Sequence, residues 1–284
     1  MTADTSERRS VALGAGTVEY GDTGGDGPVV VLLHGLAQNG TVWRRVVADL
    51  RADHRCLTPT LPEGGHRIAM RPGADLSPRA VAALAAEFLD RLDLREVTLV
   101  EVDSGRAQQV AAFHGERLAR LVMVACEALE NYPPGLSGKM ISLAAKVPGG
   151  IGLAARVMGT RPLRRTAAGL GVLTKYPVPD EVLDDWMRPL LTDPAVRGDL
   201  RRYLLGARKG EMLEAAEALR GFDRPALVVW ATEDRLMPWA HGGRLAEILP
   251  LGRLVEVADS GTLVPEDQPA ALSAALREFI ATTP

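Results

Sequence analysis

Cysteine is scarce: Cys56 and Cys126 are the only two in 284 residues. That is too few for a disulfide framework or a cysteine-built metal cluster. Both read as small buried hydrophobes of a reducing compartment. Long apolar runs are missing as well. Pro28–Leu33 is typical of those present, and nothing approaches the ~20 residues of a membrane span. The opening MTADTSERRS lacks the apolar segment of a secretion signal. A cytoplasmic location without a membrane partner is therefore expected. An excess of positive charge is absent too. Lys+Arg number 33 against Asp+Glu 36, a net charge of −3, so the basic face of a nucleic-acid binder is not expected. Lysine occurs only at Lys139, Lys146, Lys175 and Lys209, which reads as codon bias.

What remains is an ordinary globular mixture. A chain of this length buries roughly three quarters of its unfolded surface, enough for one large core with a small addition. Val/Leu-rich runs alternate with helical patterns, the mark of a parallel sheet covered by helices. Strands are expected at Arg9–Leu13, Thr17–Tyr20, Pro28–Leu33, Arg55–Thr58, Val97–Val102, Leu118–Val124, Ala226–Trp230 and Gly252–Val257. Helices are expected at Thr41–Leu50, Ser77–Leu92, Arg106–Phe113, Ala240–Ile248 and Pro269–Ile280, with Thr41 and Ser77 as N-caps and Pro78 at a first helical position. Between about Asn131 and Ala215 the alternation stops. Only helical patterns appear there: Ser137–Ala145, Ile151–Met158, Leu163–Gly169, Pro179–Leu191, Pro194–Leu205 and Met212–Arg220, punctuated by Pro and Gly.

Three segments carry chemistry. Val29–Leu33 runs into His34-Gly35-Leu36, a buried strand ending in a loop. Val97–Val102 runs through Asp103-Ser104-Gly105-Arg106 into a helix. That is the strand–turn–helix of a nucleophile elbow, with Asp103 at its tip. The helix N-terminus behind Asp103 favours an anion, and the C-terminal edge of an open parallel sheet is where ligands bind. Ala226–Trp230 leads to Thr232-Glu233-Asp234-Arg235, a carboxylate just past a late strand. Gly24-Gly25-Asp26-Gly27 precedes a strand instead of opening a helix, so it is no phosphate loop. His and Cys spacing suits no metal site. No cofactor is expected.

With these segments in this order, nearly the whole chain resembles the α/β-hydrolase superfamily. The resemblance implies an α/β-hydrolase fold: an eight-stranded, mostly parallel sheet flanked by helices, with a helical lid inserted after strand 6. Core residues would be 1–130 and 216–284, and the lid 131–215. Asp at the elbow resembles the branch of haloalkane dehalogenases and epoxide hydrolases, in which that Asp attacks carbon and a His-activated water hydrolyses the ester. The family's histidine belongs in the loop after the last strand. Here that loop reads Ala258-Asp259-Ser260-Gly261-Thr262-Leu263-Val264-Pro265-Glu266, and Thr262 falls in the histidine slot; no His lies beyond His241. A threonine hydroxyl does not take up a proton near neutral pH as an imidazole does. The halide-binding Trp after the nucleophile and the Asn of the first loop are also replaced, by Ser104 and Leu36.

By the same resemblance, the backbone N–H groups of Leu36 and Ser104 would form the oxyanion hole. Asp234 would be the triad acid, with Glu127 after the sixth strand as a second carboxylate. His66, in the loop Leu61–Arg67, is the substitute base. Tyr176 and Tyr203 match the lid tyrosines of epoxide hydrolases. Glu101 and Arg106 read either as a local ion pair or as a carboxylate raising a pKa near Asp103. His34 supports the first loop, while His54, His114 and His241 read as surface residues.

The expected function is a small-molecule enzyme with a degenerate triad. It would act on a small apolar carbonyl-type compound by non-hydrolytic general-base chemistry: cyclisation, elimination or isomerisation. One alternative is an Asp-nucleophile hydrolase of epoxides or esters using His66 or Glu127 to activate water. Another is a non-catalytic ligand- or partner-binding protein. The expected partner is a small apolar organic substrate. Nothing in the sequence fixes an oligomeric state.

Overall fold

A computed structural model describes residues 7–166 and 169–283. The opening residues 1–6 lie outside it, as do residues 167–168 within the expected helix Leu163–Gly169. Eight strands form one sheet: β1 (Glu7–Ala12), β2 (Thr17–Asp22), β3 (Val29–Leu33), β4 (Arg55–Pro59), β5 (Val97–Asp103), β6 (Leu118–Cys126), β7 (Ala226–Ala231) and β8 (Gly252–Val257). Their order is β1-β2-β4-β3-β5-β6-β7-β8. The β1–β2 and β2–β4 pairs are antiparallel, and all others are parallel. Every residue of β5 is buried, as befits a central strand covered on both faces. From β3 the chain steps to β4 on one side and later returns to β5 on the other. The C-terminal ends of β3 and β5 therefore flank a topological switch point, where a crevice opens.

The helices are α1 (Arg44–Leu50), α2 (Pro78–Arg91), α3 (Arg106–Phe113), α4 (Gly135–Lys146), α5 (Gly150–Gly159), α6 (Arg161–Arg164), α7 (Asp180–Thr192), α8 (Pro194–Gly206), α9 (Glu211–Ala218), α10 (Trp239–Ile248), α11 (Val264–Asp267) and α12 (Pro269–Thr282). α1 packs on α12, and α2, α3, α9 and α10 pack in series. The stretch between β6 and β7 is helical, α4 to α9, with no strand among its described residues. α5 and α8 pack on α4, and α7 on both α5 and α8. Trp43, Trp186 and Trp230 are fully buried. Trp43 donates to Leu33 O (3.2 Å), and Trp186 donates to Thr41 Oγ1 (2.9 Å), tying α7 to the loop after β3.

Ser77 caps α2 by accepting from Ala80 N, and Pro78 opens that helix, a cap worth about 1 kcal/mol. The expected cap at Thr41 is corrected. A 3-10 turn at Gly40–Trp43 precedes α1, and Asn39 in extended backbone accepts the Thr41 N–H instead. His54 and His241 are buried, not surface residues. Each lies near a surface carboxylate: Asp53 at 3.0 Å from His54 and Glu130 at 3.4 Å from His241. Both cysteines are free and buried.

Candidate active site

The turn after β5 places Asp103 at the crevice. Its φ is +67°, a conformation that costs an L-residue roughly 1–2 kcal/mol and persists only where the surroundings enforce it. The enforcement comes from the loop after β3. A Cβ on Gly35 would stand 2.0 Å from Asp103 Oδ2 and 2.5 Å from its Cβ, so only glycine lets the Asp103 side chain lie against this loop. Gln38 Nε2 donates to Asp103 Oδ2 at 3.1 Å. The Leu36 N–H also hydrogen-bonds this carboxyl. The Ser104 N–H closes the turn onto Val102 O at 2.7 Å, and its hydroxyl donates to His34 O at 3.2 Å. The two amides expected to make an oxyanion hole thus flank Asp103. One faces its carboxyl and the other holds the bend.

Burial pushes the Asp103 carboxyl up to about 7, helped by the nearby Glu63 and Asp234 carboxylates and opposed by the Leu36 N–H. Glu63 is raised by burial to about 7, with Arg106 pulling the other way. Burial holds Glu127 well above the usual carboxylate range, against the pull of Arg106. The expected Glu101–Arg106 pair does not form. Glu101 accepts from Ala107 N (2.7 Å) and Gln108 Nε2 (3.1 Å), which satisfies the start of α3. Arg106, fully buried, stands 3.8 Å from Glu63 and 3.6 Å from Glu127 and donates to Gln109 Oε1 at 2.8 Å. Its guanidinium lies 5.7 Å from the centre of the Tyr203 ring. One cation under several carboxyls leaves a net proton demand, which the raised values express.

Asp234 follows β7, near enough to Asp103 to raise its pKa. Its Oδ1 accepts from Leu236 N (2.7 Å), Met237 N (2.9 Å) and Thr262 Oγ1 (2.8 Å). Its Oδ2 is buried with no hydrogen-bond partner among the described residues. The hydroxyl of fully buried Thr262 thus stands beside the Asp234 carboxylate. His34 is a structural residue. Leu61 N donates to its Nε2 (2.9 Å), its Nδ1 lies 2.8 Å from Gly35 O, and burial lowers its pKa to about 4. It is a neutral imidazole that shapes the loop.

Asp103, Leu36, Ser104 and Glu127 all line one cavity of about 970 Å³, walled largely by apolar side chains of α4, α5 and α8. Tyr132 and Tyr203 also reach it. His66 is turned elsewhere: it is buried, its Nε2 stands 3.0 Å from Asp199 Oδ2, and Gly64 N donates to its Nδ1 at 3.4 Å. Tyr176 donates to Asp259 Oδ2 at 2.5 Å at an exposed position. Sequence reasoning missed Gln38 and Glu63, and it did not give Arg106 its partners Glu63 and Glu127. Gln38 was within reach, since it lies three residues past Gly35 in the loop that faces the elbow. Glu63 carries no signal beyond its neighbourhood to Gly64-Gly65. Among the described residues no group of His, Cys, Asp and Glu is arranged to hold a metal ion.

Residues 30–275 match the alpha/beta hydrolase family. The chain belongs to that family. An uncharacterised protein of Mycobacterium tuberculosis (strain ATCC 25618 / H37Rv) is 27% identical over 229 residues, 75% of this chain and 64% of the relative. This chain therefore spans just under two thirds of that relative's length. Haloalkane dehalogenase 1 of the same strain is 27% identical over 225 residues, 74% of this chain and 69% of the relative. An alpha/beta hydrolase fold protein from Burkholderia ambifaria superposes with a TM-score of 0.74 at 26% identity, covering 92% of this chain and 94% of that one. Sheet order, elbow and family match agree: this is an α/β-hydrolase-fold chain with dehalogenase-like relatives.

Proposed function

We propose that the chain is a small-molecule enzyme in which Asp103 serves as general base on an apolar carbonyl compound, in a non-hydrolytic cyclisation, elimination or isomerisation. The observation that carries this reading is the Thr262–Asp234 hydrogen bond, 2.8 Å long, in the place where a hydrolytic triad needs imidazole. Hydrolysis through an Asp ester requires a base to activate the water of the second step. His66 is committed to Asp199, away from the cavity lining. Dehalogenation, the activity in the name of one relative, further needs halide-binding N–H side chains that Ser104 and Leu36 do not supply.

Proton abstraction needs less. A carboxyl with a pKa near the working pH is well suited to the work of a general base, and burial gives Asp103 that value. The carboxylate takes a proton from carbon beside the carbonyl. Glu127, which burial holds well above the usual carboxylate range and which lines the same cavity, donates one to the developing enolate oxygen and takes it back when the carbonyl re-forms. Asp103 then returns its proton at another atom, or the enolate closes or eliminates. The α4–α8 layer acts as a lid that keeps the site apolar and water-poor, which strengthens each of these interactions.

The deciding experiment incubates the protein with a panel of apolar ketones in D2O and follows deuterium entering the α-position by NMR. Exchange that rises with pH through about 7 and falls at least about a hundredfold in Asp103→Asn is expected. Exchange unchanged in Asp103→Asn would overturn the assignment. Intact-protein mass spectrometry with epoxides and haloalkanes runs in parallel. A stable adduct on Asp103 would instead identify it as a nucleophile whose ester the enzyme fails to release.

A further inference from the structure

The surface of α4 carries an apolar stripe that the fold does not use. Leu136, Met140, Leu143 and Val147 recur at helical spacing, and each is more than half exposed, from 52% to 72%. Leu153 on the adjoining α5 is 63% exposed. A run of large exposed hydrophobics of this kind marks a contact surface.

The charge around the stripe identifies the contact. From Asn131 to Pro179 the sequence contains no Asp or Glu, yet it holds Lys139, Lys146, Arg156, Arg161, Arg164, Arg165 and Lys175. The last four are ion-paired with Asp180, Asp184, Glu233 or Asp259. Lys139, Lys146 and Arg156 are exposed on α4 and α5 and have no ion-pair partner among the described residues. The face is thus apolar along its middle and cationic at its sides, in a chain whose net charge is −3. Met140, Leu143, Val147 and Leu153 also line the Asp103 cavity. Being exposed and cavity-lining at once, they form its mouth.

We propose that the α4–α5 face docks onto the surface of an anionic lipid bilayer, with the cavity mouth seated against the lipid. Leucines enter the acyl boundary while lysine and arginine meet the headgroups, as in helices that lie in a membrane interface. No described helix is long and apolar enough to cross the membrane, so the contact is peripheral. A second copy of the chain fits less well, because a two-fold contact would press the same unpaired cations together. Nucleic acid would meet the charges but leave the leucine stripe in water. The inference stands on this surface alone and is independent of the chemistry at Asp103.

The test is co-sedimentation of the full chain with vesicles, one set of phosphatidylcholine and one with phosphatidylglycerol added. Binding to the anionic vesicles only, weakened by salt, is expected. Each basic residue near such a surface contributes about fivefold, so Lys139→Glu with Arg156→Glu loses about twentyfold or more. Leu136→Glu, away from the cavity lining, loses binding while retaining its thermal transition. If Leu136→Glu fails to fold, Leu136→Ser replaces it. Absent or composition-independent vesicle binding overturns the proposal. So does tighter binding to duplex DNA, or a concentration-dependent dimer that Leu136→Glu breaks while vesicles remain unbound.

Discussion

Asp103 is held by Gln38, the Leu36 amide and the bare backbone of Gly35, and these contacts fix a carboxyl at positive φ in a buried place. Holding it ionised there is unfavourable. Its folded pKa of about 7, against 3.8 ordinarily, means that the folded state binds the proton more tightly than the unfolded one. Stability is therefore lost as pH rises from about 4 through 7. Asp103→Asn removes that loss. At pH 8 the variant should melt about 8 °C higher than the native chain, corresponding to about 4 kcal/mol, while at pH 4 the two should nearly coincide. Thermal scans at the two pH values decide it, and equal melting at pH 8 would mean that the carboxyl is not costly. The same scan joined to the exchange assay displays a trade of stability for function. Thr262→His is the complementary change at this scale. It puts an imidazole beside the free Oδ2 of Asp234. If Asp103 accepts an alkyl group from an epoxide, the native chain should retain the adduct and the variant should release it within one assay. Mass spectra over time report which occurs.

Among elements, the strands of the sheet were legible because buried parallel strands write themselves as Val/Leu runs. The elbow was legible because Asp103 stands between a strand pattern and a helix pattern. The short turn before α1 was not, since Asn39 and Thr41 both qualify as caps and only the 3-10 geometry chooses between them. The partner of Arg106 was not legible either. Glu101 is close in sequence, but β5 and the start of α3 turn its carboxyl to Ala107 and Gln108, while Glu63 arrives from the loop after β4. His66 shows the same limit: the loop was found, but the side chain's direction depends on Asp199 of α8, far away in sequence. Asp199 also accepts from Met70 N (2.7 Å) and Arg202 (2.6 Å), so it fastens α8 to that loop. His66→Ala should loosen this joint by about 1–3 kcal/mol, the cost of leaving a buried charged partner short of a donor. Exchange catalysis should stay within about threefold. A hundredfold loss of exchange at unchanged fold, measured beside circular dichroism, would return His66 to the catalytic set.

Across the whole molecule, the distribution of buried charge sets how the chain responds to pH. Burial raises Asp103 and Glu63 to about 7 and Glu101 to about 8, the last against hydrogen bonds from Ala107 and Gln108. Glu127 is raised with them. Asp103, Glu63 and Glu101 are each neutral in the folded chain over a range where the unfolded chain would ionise them, so each contributes a loss of stability between roughly pH 4 and 8, and Glu127 acts in the same direction. Two histidines run the other way: burial lowers His34 to about 4 and also lowers His241, so stability from them rises with pH up to 6.5. Asp22 and Asp199, lowered on balance by their hydrogen bonds although burial opposes it, lose their contribution only as pH falls below about 4. Four carboxyls against two imidazoles decide the sign in the middle of the range, and above 6.5 the carboxyls act alone. The chain should be most stable near pH 5, with its melting temperature falling on the order of 10 °C toward pH 8. A melting temperature that rises from pH 5 to pH 8 would mean that Arg106 carries enough of the buried charge to keep these carboxyls ionised. In that case Arg106→Met, otherwise strongly destabilising because it strands Glu63 and Glu127, would be the variant to melt next, since its loss should then be largest at high pH.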